Sequence, residues 1–535
     1  MIKGIITSSK SISQDVLAGL KRRHWKQDIM ALVLFLAATV GWQLQTGAYK
    51  SEFGGHPDEA AHYVTGLMIR DYLTGGIPEH PMKFARNYYD HYPKVALGNW
   101  PPFFYIAQSA WTIPFGPSRT SLMIFMAFLT AGTALLIFNE VRHQSPNGLA
   151  LAAGLIYCSL PVVQKFSSHV MTEALLAFLA TLAICLFARY LNSGQTRYSL
   201  AFGLVASCAI LTKGSGMFLA FVPLAGVLGS RKFPLLKKPG FWASALIVIL
   251  LCAPWTLATL NLAKAGWESQ SPNLAFTLQA IPYYWKKLFL TTGVVMATMV
   301  PLLICLVRSL KTSCSALEAS AIGFFLATML LQPIIPCGLE PRHLVIALPV
   351  LLLFLPDTVR CLEKHGMKPN HLALILVAAA VLQPLERKPK ECFGFRDSAR
   401  LAIQDPVQTT LFVSSDASGE GMFISEVAMA EDRPGHIVKR SSKVFATVNW
   451  SGSDYQSDAK STVEVLAIFE KEGISIITLD DSMEPDKNKT HHRLIEETVK
   501  KHPEHFEEIL SNDALRKGRT YENAVRTYRF KSLND

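Results

Sequence analysis

The sequence predicts an α-helical polytopic membrane protein with about eleven transmembrane helices and a C-terminal α/β domain. Half of the 535 residues are hydrophobic and only 17% are charged, which is typical of integral membrane proteins. Apolar stretches long enough to cross about 30 Å of hydrocarbon recur between residues 29 and 385. After residue 386 such stretches end, and short strand and helix patterns alternate instead.

The N-terminal segment, residues 1–28, is polar and ends in a basic cluster just before the first apolar stretch. That stretch, residues 29–47, has no small-residue cleavage site, so it predicts a retained first span rather than a removed signal peptide. The basic cluster places residues 1–28 in the cytoplasm, because positive charge favours the inner side of a cytoplasmic membrane.

Ten further spans are expected after the first. The stretch 199–229 would be about 45 Å long as one helix, and Lys213-Gly214-Ser215-Gly216 divides it into two. The division also places the basic loop 231–238 inside, as the positive-inside rule requires. The spans follow one another at residues 118–139, 148–165, 171–190, 199–212, 214–229, 241–260, 289–308, 316–335, 343–358 and 370–385.

Eleven spans with a cytoplasmic N-terminus divide the chain into three parts. Residues 29–386 form the transmembrane domain, and its first extracytoplasmic loop, residues 48–117, carries the candidate catalytic residues. Residues 387–535 form a domain outside the inner membrane. In that domain Thr409–Ser415 and Ile474–Leu479 predict buried strands, and residues 420–432, 462–473 and 491–511 have helical spacing.

The charge of the chain indicates a membrane rather than a nucleic-acid partner. The net charge is +11, and its excess of Lys and Arg lies before residue 387, where it follows the predicted cytoplasmic loops. No basic stripe on a soluble module is visible, so we expect no nucleic-acid binding. The nine cysteines include no C-x-x-C pair, which argues against a zinc ribbon or a thioredoxin-type site.

The segment Gly55–Tyr63 places two adjacent carboxylates, Asp58 and Glu59, just after the first span. Charge at the edge of a membrane segment is costly unless it is solvated or functional. A carboxylate such as Asp58 can accept a proton from an attacking hydroxyl group. The alternative is that Asp58 caps the first turn of a short helix at residues 58–74.

One further carboxylate and three cations are expected at the same leaflet. Glu173 begins the fourth span, where it alternatively stabilises the helix N-terminus. Lys94, Lys213 and Arg342 are cations that can stabilise a negatively charged group. Each cation alone is more often a side chain that extends along apolar surface to reach the interface.

These segments together resemble the GT-C fold of membrane-embedded glycosyltransferases. The resemblance is strongest to the family 39 group of protein O-mannosyltransferases and bacterial aminoarabinose transferases, and it covers about residues 30–360. It is carried by Gly55–Tyr63, Lys94 before Trp100-Pro101-Pro102, Leu211-Thr212-Lys213-Gly214, and Glu340-Pro341-Arg342-His343 with Pro349 in register. At position 173 the family more usually has Asp.

The resemblance implies an inverting transferase that moves a single sugar from a polyprenyl-phosphate carrier to a lipid, glycan or protein acceptor. Transfer would take place on the outer face of the cytoplasmic membrane. The implied catalytic residues are Asp58, Glu59 and Glu173. The implied substrate-binding residues are Lys94, Lys213, Arg342, His62, Tyr63 and Trp100.

Two alternatives stay open at this point. The pattern Asp58-Glu59-Ala60-Ala61-His62 lacks the first histidine of H-E-x-x-H, so a zinc protease is rejected, whereas a divalent cation held by Asp58, Glu173 or His62 is not. A transporter or lipid-carrier flippase would also have many spans and charges at membrane depth. The clustering of charge at one leaflet and the absence of matching sequence halves favour the transferase. The sequence does not identify the sugar, the acceptor or the oligomeric state.

Overall fold

The computed structural model describes residues 25–532 with internal gaps. Those gaps are residues 78, 97, 99, 262–270, 292, 364–365, 367, 369–370, 372–373, 376, 379–389, 448–454, 485–486 and 517. Most of the predicted cytoplasmic segment 1–28 and much of the predicted eleventh span therefore lie outside the described residues. The boundary between the transmembrane and C-terminal domains at residue 386 also lies outside them and stays a prediction.

The N-terminal two thirds of the described chain is helical. The helices are α1 (Trp25–Gln45), α2 (Glu59–Thr74), α3 (Pro81–His91), α4 (Phe103–Phe115), α5 (Arg119–Arg142), α6 (Asn147–Ser159), α7 (Pro161–Ser167), α8 (Glu173–Ser193), α9 (Thr196–Ile210), α10 (Phe221–Ser230), α11 (Pro239–Ala258), α12 (Leu274–Thr291), α13 (Gly293–Lys311), α14 (Ala316–Leu331), α15 (Leu348–Leu352) and α16 (Leu355–Glu363).

Five described helices are long and apolar enough to cross a membrane, namely Trp25–Gln45, Arg119–Arg142, Glu173–Ser193, Pro239–Ala258 and Ala316–Ile334. A sixth span results if α6 and α7, which meet at a bend of 63°, cross together. The predicted count of eleven is not confirmed. The predicted tenth span, residues 343–358, is divided into short helices, and prolines at 349 and 356 explain the division because proline removes an N–H donor.

The predicted break in the stretch 199–229 is confirmed. Helix α9 ends at Ile210, and a 3₁₀ segment, Gly214–Ala220, connects it to α10. The backbone folds back tightly here, because a Cβ on Gly216 would come within 2.5 Å of the Ala209 backbone. Glycine is therefore required at this position, and Lys213 lies at the point where the chain turns.

The C-terminal domain is α/β, as predicted. Its elements are α17 (Arg396–Ala402), β1 (Thr410–Ser414), α18 (Ala417–Ala430), β2 (Val438–Arg440), α19 (Ser441–Val444), β3 (Ala446–Thr447), β4 (Gln456–Ser457), α20 (Thr462–Lys471), β5 (Ile474–Asp480), α21 (Thr490–Lys501), β6 (Phe506–Arg516) and β7 (Arg519–Phe530). Its five-stranded sheet has the order β2-β1-β5-β7-β6, with β1 parallel to both β2 and β5, and β7 antiparallel to both β5 and β6.

One element of this domain was predicted wrongly. The predicted helix 491–511 ends at Lys501, and residues from Phe506 form strand β6. Pro503 prevents the helix from continuing, because its ring clashes with the preceding turn. The hairpin of β6 and β7 faces solvent on one side and has many polar residues, so it gives a weak hydrophobic signal.

The C-terminal domain is attached to the loop between α1 and α5 by buried polar contacts. Arg433 Nε lies 2.7 Å from Asp71 Oδ2 in α2, and Tyr92 donates to Glu431 Oε1 at 2.6 Å. Arg119 also pairs with Glu426 of α18. Because charged hydrogen bonds away from water are strong and directional, these contacts hold the loop against the domain.

Candidate active site

Asp58 lies at the N-cap of α2 but does not cap it. Its side chain makes no bond to the first turn of the helix, and Oδ2 instead accepts from Nη1 of Arg342 at 3.0 Å. The Asp58 side chain is 28% exposed and that of Arg342 is 11% exposed. The carboxylate is thus held by a cation from a distant segment and still reaches solvent, which a simple capping role would not require.

Glu173 and Lys213 form a second ion pair beside the first. Lys213 Nζ lies 2.6 Å from Oε1 of Glu173, and the Glu173 side chain is only 2% exposed. Arg342 Nε lies 3.8 Å from the same oxygen. Arg342 therefore lies between the two carboxylates, and the four residues form one alternating network.

The fold brings these residues to one end of the helical bundle. Asp58 follows α1, Glu173 begins α8, Lys213 follows α9, and Arg342 precedes α15. The Pro-Pro turn is attached at the same end, because Phe103 N donates to Leu211 O at 2.8 Å. Two of the sequence motifs that carried the resemblance are thus in direct contact.

Two members of the network, His56 and Glu340, lie in the motifs read from the sequence but were given no role there. His56 Nε2 lies 3.2 Å from Glu340 Oε2, and His56 Nδ1 lies 3.5 Å from Asp58 Oδ2. Glu340 Oε2 also lies 2.9 Å from Arg342 Nε. Both residues lie within two positions of a predicted site residue, so sequence proximity was the signal that could have identified them.

The network sets the protonation state of Asp58. Burial raises the pKa of this carboxyl, but surrounding positive charge, including the guanidinium of Arg342 that also donates to it, outweighs burial and the net shift is downward. Burial lowers the pKa of His62 to about 4, although Asp58 opposes the shift. At neutral pH Asp58 is therefore ionised and His62 is uncharged.

Of the predicted substrate-binding aromatics, His62 lies close to Asp58 and packs against Trp100, whereas Tyr63 is turned into the protein. His62 lies one turn along α2, where its Nδ1 is 2.9 Å from Tyr105 Oη and its ring centroid is 4.4 Å from that of Trp100. Tyr63 is fully buried and donates to Pro117 O at 2.9 Å. Its ring packs 4.6 Å from Phe53, so Tyr63 supports the loop from within.

Lys94 is held by the C-terminal domain rather than by the Asp58–Arg342–Glu173–Lys213 network. Its Nζ donates to Ala417 O, at the start of α18, at 2.7 Å, and the residue is 8% exposed. Burial lowers the pKa of Lys94 to about 8, with a further contribution from the charge of Arg440. Its charge still interacts with Asp58.

Glu59 faces away from the network although it adjoins Asp58. It is completely buried, and its Oε1 lies 2.5 Å from Nζ of Lys390. A carboxylate buried in this way does not contact a substrate in this arrangement. Any catalytic role of Glu59 would therefore have to act through other residues. Sequence reasoning gave no signal for Lys390, which lies 331 residues further along the chain.

Two of the residues proposed to hold a divalent cation are paired with cationic side chains in this arrangement. Such a cation needs several free oxygen or nitrogen donors, whereas Asp58 and Glu173 are already paired with Arg342 and Lys213. Among the described residues, the one group close enough to share an ion is Cys305, Cys314 and Glu318. That group lies where α13 leads into α14, at the opposite end of these helices.

Comparison with solved structures shows which fold this chain has. The oligosaccharyltransferase of Archaeoglobus fulgidus, solved with Zn and sulfate, aligns with a TM-score of 0.57 at 15% identity, over 89% of this chain and 71% of that one. ArnT from Cupriavidus metallidurans aligns in the apo state with a TM-score of 0.57 at 11% identity, over 93% and 97% of the two chains. Bound to undecaprenyl phosphate, ArnT aligns with a TM-score of 0.53 at 13% identity, over 94% and 98%.

The shared architecture gives this chain the GT-C fold. Residues 99–257, less than a third of the chain, match the family model described as dolichyl-phosphate-mannose-protein mannosyltransferase, and this match indicates glycosyltransferase activity. No curated protein sequence matches it significantly. A coverage of 93% includes much of the C-terminal domain, so the likeness extends beyond the residues 30–360 expected from the sequence.

Proposed function

We propose that this protein transfers a single sugar, with inversion, from a polyprenyl-phosphate carrier to a hydroxyl group of a lipid, glycan or protein acceptor. The observation that carries the proposal is the position of Asp58. It is ionised, partly exposed and fixed by Arg342, beside a second anion and cation pair. A base and a phosphate-binding cation within one network are what this reaction needs.

In the proposed step Asp58 accepts the proton of the acceptor hydroxyl as its oxygen attacks the anomeric carbon of the sugar. The bond between that carbon and the phosphate oxygen breaks, and the phosphate leaves with the electron pair. Attack from the face opposite the phosphate inverts the anomeric centre. The products are the glycosylated acceptor, the polyprenyl phosphate and a protonated Asp58.

Arg342 and Lys213 would stabilise the leaving phosphate. Both are paired with carboxylates in the described structure, so a bound phosphate would compete with Asp58 and Glu173 for them. Competition for Arg342 would withdraw positive charge from Asp58 and make it a stronger base when the donor is present. Glu173 would hold Lys213 and Arg342 in place rather than exchange protons.

Three parts of the proposal concern the surroundings of the site. Lys94 remains a candidate contact for the phosphate, because Ala417 O uses one of the three hydrogens of its ammonium group. His62 and Trp100 would line the sugar pocket. The reaction would take place on the outer face of the cytoplasmic membrane, with the C-terminal domain on the same side.

The proposal is tested with purified protein in liposomes that contain undecaprenyl-phosphate sugars and a mixture of candidate acceptors. Release of undecaprenyl phosphate together with a glycosylated acceptor, identified by mass spectrometry, supports it. Transbilayer movement of the carrier without any loss of its sugar would instead identify a flippase. No turnover with any polyprenyl-phosphate sugar tested would contradict the proposed donor class.

A further inference from the structure

Glu59 and Lys390 form an ion pair from which water is excluded. Their side chains are 0% and 1% exposed, and Nζ and Oε1 lie 2.5 Å apart. Burying two charges costs several kcal/mol for each ion, as an order of magnitude, and attraction offsets this only with good geometry and further hydrogen bonds. This pair has those further bonds, and they connect it to both carboxylates of the candidate site.

The carboxylate of Glu59 accepts two backbone hydrogen bonds besides that of Lys390. Val170 N donates to Oε1 at 3.1 Å, and Gly55 N donates to Oε2 at 3.1 Å. Val170 lies three positions before Glu173, and Gly55 lies three positions before Asp58. One side chain therefore fixes both backbone segments that carry the carboxylates of the site.

The two segments are also pressed together in space. A Cβ on Gly55 would come within 2.1 Å of Nε2 of His169, so no other residue fits there without a rearrangement. His169 is itself held by its Nδ1, which lies 2.5 Å from Lys165 O. A small displacement of either segment would therefore change the separation of Asp58 and Glu173.

Lys390 is fixed at the start of the C-terminal domain. Its backbone N donates to Thr46 O at 2.9 Å, and its ammonium lies 5.7 Å from the ring centroid of Phe53. Cys392 lies two residues after Lys390, and its O accepts from Glu52 N at 2.8 Å. The first residues of the C-terminal domain are thus attached to the loop that carries Asp58.

We propose that Glu59 and Lys390 are positioning residues that set the separation of Asp58 and Glu173, and this inference rests on the proposed function. The C-terminal domain then completes the active site by supplying Lys390. Glu59 does not exchange a proton with substrate. It holds the base and its partner network in the geometry that the transfer needs.

A double-mutant cycle tests the proposal. We expect Glu59→Gln and Lys390→Met each to lower kcat by roughly 10- to 100-fold, as small misplacements of reacting groups do, with little change in donor KM. Because both substitutions break the same bond, the double variant should be little worse than the poorer single variant. Lys439→Met, which breaks a half-exposed ion pair with Glu472 in the C-terminal domain, should leave kcat unchanged.

Several results would overturn the inference in an active enzyme. If folded Lys390→Met has the kcat of the wild type, the inference is wrong. The same holds if this variant has a lower Tm but an unchanged kcat, because the pair would then only stabilise the fold. If Glu59→Gln abolished transfer while Lys390→Met had no effect, Glu59 would belong to proton transfer instead. Lys390→Arg keeps the charge and should recover part of the lost kcat, which a requirement for packing alone would not predict.

A second measurement separates this inference from the proposed function. In Glu59→Gln and Lys390→Met we expect faster hydrogen exchange in peptides that contain the amides of Gly55 and Val170. Exchange in helix α20 should stay unchanged, because that helix packs into a separate hydrophobic cluster around Phe412 and Phe469. An inactive wild-type enzyme would contradict the proposed function alone, whereas unchanged exchange at both amides would contradict the positioning role.

Discussion

Arg342 donates from Nη1 to Oδ2 of Asp58 at 3.0 Å across 284 residues of sequence. The same guanidinium lies 3.8 Å from Oε1 of Glu173 and 2.9 Å from Oε2 of Glu340. A planar group with five donors can hold carboxylates on several sides at once. Arg342 therefore organises the site, and in the proposed function it also contacts the leaving phosphate.

We expect Arg342→Met to lower kcat/KM for the donor by roughly 10- to 100-fold, since a charged hydrogen bond contributes about 1.5–3 kcal/mol. Arg342→Lys should recover only part of this, because an ammonium cannot contact several carboxylates in the same plane. Steady-state kinetics with varied donor measures both. Arg360→Met, which breaks an exposed pair with Asp357, is the matched control, and an equal loss there would refute a specific role for Arg342.

The pair of Glu173 and Lys213 should contribute to stability as well as to binding. Lys213→Met leaves a buried carboxylate without its nearest cation, and we expect a loss of roughly 2 kcal/mol. That is less than the about 3–5 kcal/mol of a sealed pair, because the Lys213 side chain is 21% exposed. Thermal unfolding in detergent should give a lower Tm for Lys213→Met and a partly recovered Tm for Glu173→Gln/Lys213→Met. A double variant less stable than the single one would contradict this pairing.

Lys94 should make donor binding depend on pH. Its pKa in the folded protein is about 8, below the usual value, so its positive charge is lost as pH rises through 8. If the ammonium contacts the carrier phosphate, donor KM should rise between pH 7 and pH 9. In Lys94→Arg the charge persists and KM should stay nearly constant over that range. If the donor KM of the wild type does not change with pH, Lys94 does not contact the carrier phosphate and only donates to Ala417 O.

The lowered pKa of Lys94 also makes the stability of the folded protein depend on pH. The unfolded chain holds the proton of Lys94 up to its ordinary pKa, whereas the folded chain releases it near pH 8. The contribution of Lys94 to stability therefore improves as pH rises from about 8 to about 10.4 and is constant below 8. Comparing wild type with Lys94→Met by thermal unfolding at pH 7 and pH 10 measures this. We expect the gain in stability from Lys94→Met to be larger at pH 7.

The predicted orientation can be tested by labelling with an impermeant thiol reagent. With the C-terminal domain outside, Lys501→Cys should be labelled in intact cells, and Lys232→Cys, in the loop before α11, should be protected until the membrane is opened. Both positions are exposed in the structure. Labelling of Lys232→Cys with protection of Lys501→Cys would reverse the orientation and place the site on the cytoplasmic side.

The sequence predicted those parts of the site whose signal is local. Asp58, Glu173, Lys213 and Arg342 each lie at the end of an apolar run or in a short motif, and the structure brings all four to one end of the helical bundle. It could not predict the different partners of Lys94 and Glu59. Their orientation depends on Ala417 and Lys390, which lie more than 300 residues further on in a separate domain.

The number of spans was harder to predict than the fold. Hydropathy gives the length of an apolar run but does not reveal whether proline divides it, as in residues 343–358, or whether a helix bends, as between α6 and α7. The strands β1 and β5 were predicted because they are buried on both faces. The hairpin of β6 and β7 was not, because its outer face is polar.

The most direct test of the account is the turnover of Asp58→Asn in purified form. An amide keeps the shape of the side chain but cannot accept the proton of the acceptor. We predict that this variant folds, still binds undecaprenyl phosphate, and transfers sugar at least about 100-fold more slowly than wild type. Asp90→Asn, at an exposed position of the same loop, should keep full activity. Near-normal transfer by Asp58→Asn would remove Asp58 as the base and contradict the account.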